Sequence, residues 1–335
     1  YTSTACAAFR PTYPPSLYIR LHLYHSPTLS TTHLDLGTGP GTILSALSPP
    51  FKQTHAVDSS PTMLARAQSL LPPRLKNSTT FHLSRAEDLS FLPPSSMSLI
   101  TAAQSAHRFR TPEIWDSLSR VCLRPGGTVA FWGYKDPILP SCPRASLILN
   151  KYAYGTGCNH WGTYWAQPGR CRVQGRLRAL RPPNDGRWED VQRWEYEPSF
   201  TPAAAARTGI TWPDRVLPET RQEAEEYGHE GIFGELVHEG EGMLKKSMKV
   251  RELEEYVRTW SAVRGWCEKH PDRIRLKEGG GGDSVDECFA EMRYAEGWAG
   301  RGGKMGLKRV EPWREVEVDV EWGHGMLFCK RTQKE

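Results

Sequence analysis

The sequence has 335 residues, of which 38% are hydrophobic and 24% are charged, and this composition is typical of a globular protein. Its formal net charge of +5 comes from basic residues scattered among acidic ones, so a nucleic-acid-binding surface is not indicated. No long apolar run is present, and the eight cysteines form no CxxC pair and no metal-ligand spacing with histidine. We therefore expect a soluble, cytoplasmic protein with reduced cysteines and without a membrane, nucleic-acid or metal partner.

The region 33–134 alternates short β-rich runs with helical segments, which is typical of a parallel sheet covered by helices. We expect the preceding segment, 1–32, to be a helical cap on this core. Five strands are predicted in the core, with the sequences HLDLG from His33, THAVD from Thr54, TFHLS from Thr80, MSLITAAQ from Met97 and GTVAFWGY from Gly127.

Two helices between these strands have recognisable starts. Ser60 can cap a helix that carries Pro61 in its first turn, and Thr111 with Pro112 can begin another. The second helix should bury one side against the sheet, because its apolar residues recur at helical spacing: Ile114, Trp115, Leu118, Val121 and Cys122.

The regular alternation stops after Tyr134. Residues 135–310 are predicted to form a mixed, partly helical insertion that serves as a substrate or lid region, with one amphipathic helix over 251–268. Residues 311–335 hold two β-type runs separated by a Gly-His-Gly sequence, which predicts an antiparallel hairpin at the sheet edge. Together the patterns predict an α/β protein with a doubly wound, mostly parallel, seven-stranded sheet of the Rossmann-like type.

The strongest motif is HLDLGTGPGT, in which an apolar strand ends in a glycine-rich turn, with Gly37, Gly39 and Gly41, and a helix follows at once. A dinucleotide fingerprint needs glycine where Thr42 stands, whereas G-x-G-x-G after an acidic residue is the usual pattern for S-adenosylmethionine (SAM). We therefore expect SAM as the cofactor, with Asp35 holding its ammonium group. Thr38 completes the cofactor-binding turn.

Further cofactor contacts are expected at the ends of the next strands. Asp58 ends the second strand, where a carboxylate can accept hydrogen bonds from both ribose hydroxyls. The other candidates are Ser59 beside it, Met63 on the following helix, Ala86 and Glu87 after the third strand, and Gln104 at the end of the fourth.

With these motifs the sequence resembles class I SAM-dependent methyltransferases, and more narrowly the fungal trans-aconitate methyltransferase family. The resemblance rests on RPTYP from Arg10, the glycine turn, SAHRF from Ser105, WGYKDPILP from Trp132, TYWAQPGR from Thr163 and EYVRTWSAV from Glu255. It implies methyl-ester formation on a carboxylate of a small polycarboxylic acid. The sequence departs from the family pattern at Arg108, where an aromatic residue is expected, and at Arg110, where an acidic one is expected.

Acceptor-binding residues are sought among arginines, because a guanidinium binds carboxylates in a bidentate manner. Arg170 and Arg258 are the candidates, and His107 is expected to orient the acceptor or to accept a proton from a hydroxyl substrate. Three aromatic residues are expected to wall the pocket: Tyr164, Trp165 and Trp260. The partner is then a small molecule, and we expect a monomer.

Two other functions fit the same sequence. The protein could methylate an oxygen or nitrogen of a secondary metabolite or toxic small molecule. Alternatively, the arginines at positions 108 and 110 could mark a SAM-binding paralogue without turnover.

Overall fold

A computed structural model describes residues 9–25, 31–47, 51–210, 236–239, 244–298 and 312–334. Its α-helices are α1 (Pro15–Tyr24), α2 (Thr42–Leu47), α3 (Pro61–Leu70), α4 (Glu113–Val121), α5 (Pro143–Tyr154), α6 (Gly169–Gln174), α7 (Pro202–Thr208), α8 (Val250–Arg258), α9 (Ser261–Lys269) and α10 (Ser284–Glu296). Its strands are β1 (Thr32–Leu36), β2 (Gln53–Asp58), β3 (Thr79–Leu83), β4 (Leu99–Ala103), β5 (Thr128–Ile138), β6 (Trp188–Tyr196), β7 (Leu236–Glu239), β8 (Lys245–Lys249) and β9 (Glu317–Arg331).

One sheet joins the nine described strands in the order β3-β2-β1-β4-β5-β9-β6-β7, and β8 pairs with β9. Strands β1 to β5 are parallel to one another, whereas β9 runs antiparallel to β5, β6 and β8. The prediction of a doubly wound, mostly parallel sheet is confirmed, and β6, β7 and β8 join it from a region that was not predicted to contribute strands. The strand order reverses between β1 and β4, and ligands of such folds bind there, at the carboxyl ends of the strands.

Both predicted helix starts are present. Ser60 Oγ accepts a hydrogen bond from the Met63 N–H at 3.3 Å and caps α3. Helix α4 begins after Pro112, and all five of its predicted apolar residues are buried. These two helices fix the loops that follow β2 and precede β5.

The predicted C-terminal hairpin is wrong, because β9 is one continuous strand of 15 residues. Its glycines serve close packing and not a turn. A Cβ on Gly325 would lie 2.1 Å from the Arg176 carbonyl oxygen, and one on Gly323 would lie 2.9 Å from the Lys135 side chain. The strand passes both positions and stays paired with β5, with one register shift.

The single helix predicted over 251–268 is two helices, α8 and α9. Trp260 breaks the helix, because its backbone is extended, with φ −70° and ψ 138°. The predicted apolar face is nevertheless buried, since Leu253, Tyr256, Val257 and Val263 all lie in the core. After this interruption, α9 packs against the short 3-10 helix at Gly162–Tyr164.

The region 135–310, predicted to be an insertion, also builds part of the main sheet. It contributes the end of β5 and the strands β6, β7 and β8 to the main sheet. It also builds a hydrophobic core of its own, whose largest fully buried side chains include Trp161, Trp266 and Phe289, packed with Trp322 of β9. Among the described helices, none combines the length and the apolar character needed to cross a membrane.

Candidate active site

The glycine turn lies between β1 and α2 at the reversal point of the sheet. All three predicted glycines have positive φ angles, +64° at Gly37, +55° at Gly39 and +83° at Gly41, which side chains rarely adopt. A Cβ on Gly37 would meet the Ser105 Cβ at 2.5 Å, whereas the nearest atom to one on Gly39 would be 4.0 Å away. The turn therefore packs against the loop after β4 on one side and leaves room for a ligand at Gly39.

Asp35 is buried below this turn. Its two carboxylate oxygens accept hydrogen bonds from the hydroxyls of Thr38, at 2.7 Å, and Thr101, at 2.8 Å. Burial raises the pKa of Asp35 to about 6, although these two hydrogen bonds oppose the shift. A cation placed at the turn would relieve this penalty, which fits the predicted contact with the SAM ammonium group.

Asp58 ends β2 beside the turn. One of its oxygens accepts from the Gly39 N–H at 2.8 Å and the other from the Ser60 N–H at 2.9 Å. Each oxygen keeps a second lone pair, so the carboxylate can still accept the hydroxyls of a ribose. Ser59 is exposed next to it and Met63 is half-buried on α3. The residues around the turn thus fit SAM, as predicted from the sequence.

The residues after β3 form a second wall of this region. Ala86 is half-buried against the core of the sheet. Glu87 accepts a hydrogen bond from the Arg110 N–H at 2.7 Å, and its side chain is only 8% exposed. Its carboxylate therefore ties the loop after β3 to the loop after β4, a role that the sequence did not indicate.

Gln104 joins the end of β4 to β5 through its side chain. Its amide oxygen accepts from the Tyr134 N–H at 2.7 Å and its amide nitrogen donates to the Tyr134 carbonyl at 2.8 Å. With φ at +51°, Gln104 turns the chain away from β4 and fixes that turn to β5. The side chain therefore has a structural role that the sequence did not indicate, while each end of the amide keeps one further hydrogen-bonding position, so the expected cofactor contact stays a prediction.

The loop after β4 connects the glycine turn to the insertion. Ser105 Oγ donates to the Leu36 carbonyl at 2.7 Å, at the end of β1. Two residues further on, His107 packs against the start of α6, where a Cβ on Gly169 would lie 3.3 Å from its ring. His107 therefore lies between the glycine turn and Arg170.

His107 lies in a strongly positive environment. Burial first, and then the charges of four nearby arginines, together lower its pKa to about 3: Arg108, Arg170, Arg10 and Arg172. Its Nε2 lies 3.3 Å from the Arg108 Nε, and its Nδ1 is buried with no hydrogen-bond partner among the described residues. The imidazole is thus uncharged at neutral pH, with one ring nitrogen available to a ligand.

Arg170 is the predicted acceptor-binding residue that lies at this site. Its side chain is 9% exposed, and its guanidinium stacks over the Trp165 ring at 3.8 Å. It pairs with Asp136 at the end of β5 and contacts the Tyr154 hydroxyl. The sequence did not indicate Asp136 or Tyr154, although Asp136 belongs to the WGYKDPILP motif.

Arg258 does not lie free for a substrate. Its guanidinium contacts Glu254 at 3.0 Å, Asp286 at 2.8 Å and Asp283 at 2.5 Å, all of them nearly buried carboxylates. It joins α8 to the start of α10. The predicted substrate-binding role is replaced by a structural one, because three negative charges already balance this arginine.

The three predicted aromatic residues lie together but differ in exposure. Trp165 and Tyr164 are half-buried, whereas Trp260 is only 5% exposed and belongs to the core of the insertion. Trp165 stacks on Arg170 and lies 5.8 Å from Trp260 between ring centroids. Trp165 can therefore wall the acceptor site, while Trp260 supports it from behind.

Tyr13 is a further residue that the sequence did not single out, although it lies in the RPTYP motif. Its ring packs edge-on against Trp132 at 5.8 Å, and burial raises its pKa well above the usual value. Its hydroxyl is buried and, among the described residues, has no hydrogen-bond partner. After Nδ1 of His107, the Tyr13 hydroxyl is thus a second buried polar atom without a described partner. It lies near Asp35 and the point between β1 and β4 where the strand order reverses.

The seven cysteines in the described part of the chain are free, and four of them are buried. Cys6 lies outside the described residues. Across those same residues, histidine, cysteine and carboxylate side chains form no group of three or more that could hold a metal ion.

Residues 34–131 match a family model described as a methyltransferase domain. A probable S-adenosylmethionine-dependent methyltransferase of Saccharomyces cerevisiae, CRG1, is 25% identical over 269 residues, which cover 79% of this chain and 80% of that protein. Residues 34–131 are thus similar to methyltransferase domains, and the chain is similar over most of its length to a SAM-dependent methyltransferase.

Other similarities agree with this assignment. The methyltransferase pgmE of Aspergillus terreus is 33% identical to this chain over 39% of the chain and 41% of the relative. A putative type II methyltransferase from Anaeromyxobacter dehalogenans has the same fold, with a TM-score of 0.56 and 21% identity over 96% of this chain and 97% of that one. The structural similarity shows the fold, and the printed names of these proteins give no acceptor.

Proposed function

We infer that this enzyme transfers the methyl group of SAM to a carboxylate oxygen of a small polycarboxylic acid, for which trans-aconitate is the candidate. The observation that carries the proposal is the positive environment of His107, with Arg10, Arg108, Arg170 and Arg172 around it. Such an environment favours an anionic acceptor next to the glycine turn.

A carboxylate acceptor also fits the low pKa of His107, which makes this side chain a weak base. A carboxyl group with a pKa near ~4 is ionised at neutral pH, so its oxygen can attack the methyl carbon, while the bond from carbon to sulfur breaks, without loss of a proton. A hydroxyl acceptor needs a base with a pKa near the working pH. The pKa of His107, about 3, is far too low for this task.

The residues of the chain then act mainly by positioning. Alignment of the acceptor oxygen with the methyl group can contribute up to ~7–11 kcal/mol in well-oriented systems. Arg170 and His107 can hold the acceptor, and Trp165 on the insertion can cover it. Exclusion of water by this cover strengthens the interactions of the charged groups inside.

The proposal is tested by incubating the enzyme with methyl-labelled SAM and a panel of di- and tricarboxylic acids that includes trans-aconitate. We expect a labelled product that loses its label in mild base, as a methyl ester does. Binding of SAM without base-labile product would contradict the proposal and would favour a SAM-binding protein without turnover.

A variant at His107 separates the carboxylate acceptor from a hydroxyl acceptor. General-base catalysis contributes roughly 10²–10⁴-fold, so His107→Gln should lower kcat by less than about tenfold if the acceptor is a carboxylate. A larger loss, together with a pH profile that changes shape, would instead support a hydroxyl-methylating enzyme.

A further inference from the structure

Strand β5 bends next to the acceptor side of the site. Residues 135 and 136 both lie opposite Gly323, where the register between β5 and β9 shifts. Such a bulge re-aims side chains that would otherwise alternate between the two faces. Lys135 reaches Glu197, with 2.8 Å between Nζ and Oε1, whereas Asp136 reaches Arg170 on α6.

The Asp136 carboxylate is held by three donors. The Arg170 guanidinium, the Tyr154 hydroxyl and the Gln174 amide, at 3.2 Å, all donate to the same oxygen, Oδ2. The side chains of the ion pair are mostly shielded from water, with exposed fractions of 9% for Arg170 and 16% for Asp136. An anion that approaches Arg170 therefore meets a poorly screened negative charge.

Arg170 nevertheless has an unused donor. Its Nε is buried and lacks a hydrogen-bond partner in the described part of the chain, as does Nδ1 of the neighbouring His107. Buried donors and acceptors are nearly always paired in folded proteins, so two unpaired atoms on adjacent side chains indicate a place for a polar ligand. Opening of this closed arrangement would admit an acceptor carboxylate at the free edge of Arg170.

We propose that Asp136 is a specificity-determining residue, whose carboxylate neutralises Arg170 in the free enzyme and competes with the acceptor carboxylate for it. This inference rests on the proposed function, because it requires an anionic acceptor. Asp136 thus lowers the affinity for acidic acceptors and prevents Arg170 from holding unrelated anions.

The variant Asp136→Asn tests this role, because asparagine has the same shape and keeps an oxygen that can accept from Arg170 and Tyr154. Only the charge is lost. The probe is tricarballylate, a saturated tricarboxylate, titrated by calorimetry into enzyme saturated with S-adenosylhomocysteine. Removal of a like charge within ~4–6 Å should lower its Kd by about tenfold, and the KM of a carboxylate acceptor should fall in parallel. The Kd of SAM should stay unchanged.

Two controls accompany this variant. Glu197→Gln removes one negative charge from the other residue pair of the same bulge and should leave the Kd of tricarballylate unchanged. Arg170→Gln in the Asp136→Asn background should abolish the gain in affinity. If Asp136→Asn does not fold, Asp136→Ser, which is also uncharged, carries the same expectation.

An unchanged or higher Kd in Asp136→Asn would overturn the proposal, because Asp136 would then only orient Arg170. Equal binding of tricarballylate with and without Arg170 would also overturn it. The reaction itself is tested separately: base-labile product without a change in affinity refutes the role of Asp136 alone. Tighter binding without base-labile product refutes the carboxyl reaction alone.

Discussion

Gly37 is subject to two constraints, which a comparison with Gly209 separates. Its backbone has φ +64° and its missing side chain leaves space for Ser105, whereas a Cβ added to Gly209, with φ +66°, would meet nothing within 4 Å. Gly37→Ala should therefore cost the backbone strain of ~1–3 kcal/mol and, in addition, the cost of displacing Ser105. Chemical denaturation would measure the loss of stability, and calorimetry would measure the loss of SAM affinity.

Gly209→Ala is the matched control, because it introduces a similar strain at a site without a steric neighbour. It should destabilise the protein less than Gly37→Ala and leave SAM binding intact. Equal losses of stability in the two variants would show that the contact with Ser105 is unimportant.

The buried carboxyl of Asp35 should make stability depend on pH. Because burial raises its pKa to about 6 in the folded protein, its contribution to stability is fully present below about pH 4 and is lost as the pH rises through 6. Asp35→Asn carries no charge at any pH. Without SAM, the variant should gain stability relative to the wild type between pH 4 and 7, by up to roughly 3 kcal/mol.

Thermal unfolding of both proteins across this pH range would check the expectation, since other titrating groups cancel in the difference. A difference that does not vary with pH would contradict it. SAM binding should weaken in the same variant if Asp35 holds the ammonium group.

The conformation of the glycine turn and the place of Asp58 beside it were predictable, because each follows directly from its position in a strand or turn. Gly37, Gly39 and Asp58 are defined by their own local sequence. The pair of Asp136 with Arg170 was not predictable, because it joins residues 34 positions apart through a bulge and the path of the insertion. A sequence shows an arginine, but it does not show which carboxylate already pairs with it.

At the level of helices, Arg258 links α8 to α10 through nearly buried ion pairs. Arg258→Met should leave several buried carboxylates without their counter-charge and cost ~3–5 kcal/mol of stability. Arg251→Met, on the same helix, removes an exposed pair with Glu315 and should cost at most ~1 kcal/mol. Chemical denaturation would compare the two variants.

The same variant also tests whether Arg258 binds the acceptor. In protein that remains folded, the KM of the acceptor should not change. A KM that rises strongly while stability is unaffected would return Arg258 to the acceptor site.

The two wrong predictions of elements are the single helix over 251–268 and the C-terminal hairpin, and both have a physical reason. Apolar spacing continued through Trp260, so nothing in the periodic pattern marked the break between α8 and α9, which lies in backbone dihedral angles. Likewise, Gly323 and Gly325 are typical turn residues, yet they serve close contacts with neighbouring segments. Glycine signals freedom of the backbone or shortage of space, and the sequence alone does not distinguish them.

For the whole molecule, the alternation of strands and helices over 33–134 was sufficient to predict the doubly wound sheet. The extra strands were not predictable, because their sequences lack the usual alternation: in β8, Lys245, Lys246 and Ser247 are all exposed. The insertion is held by its own aromatic core, and such a core has no fixed period from which its elements could be read.

The place of β9 has a consequence for the order of events during synthesis. Strands β1 to β5 can pair among themselves as the ribosome makes them, but β6 joins the sheet only through β9. Until β9 leaves the exit tunnel, the nascent chain carries unpaired edges on β5, β6 and β8, the strands that pair with β9. Such edges invite pairing with other chains, so this interval is when the protein most needs a chaperone.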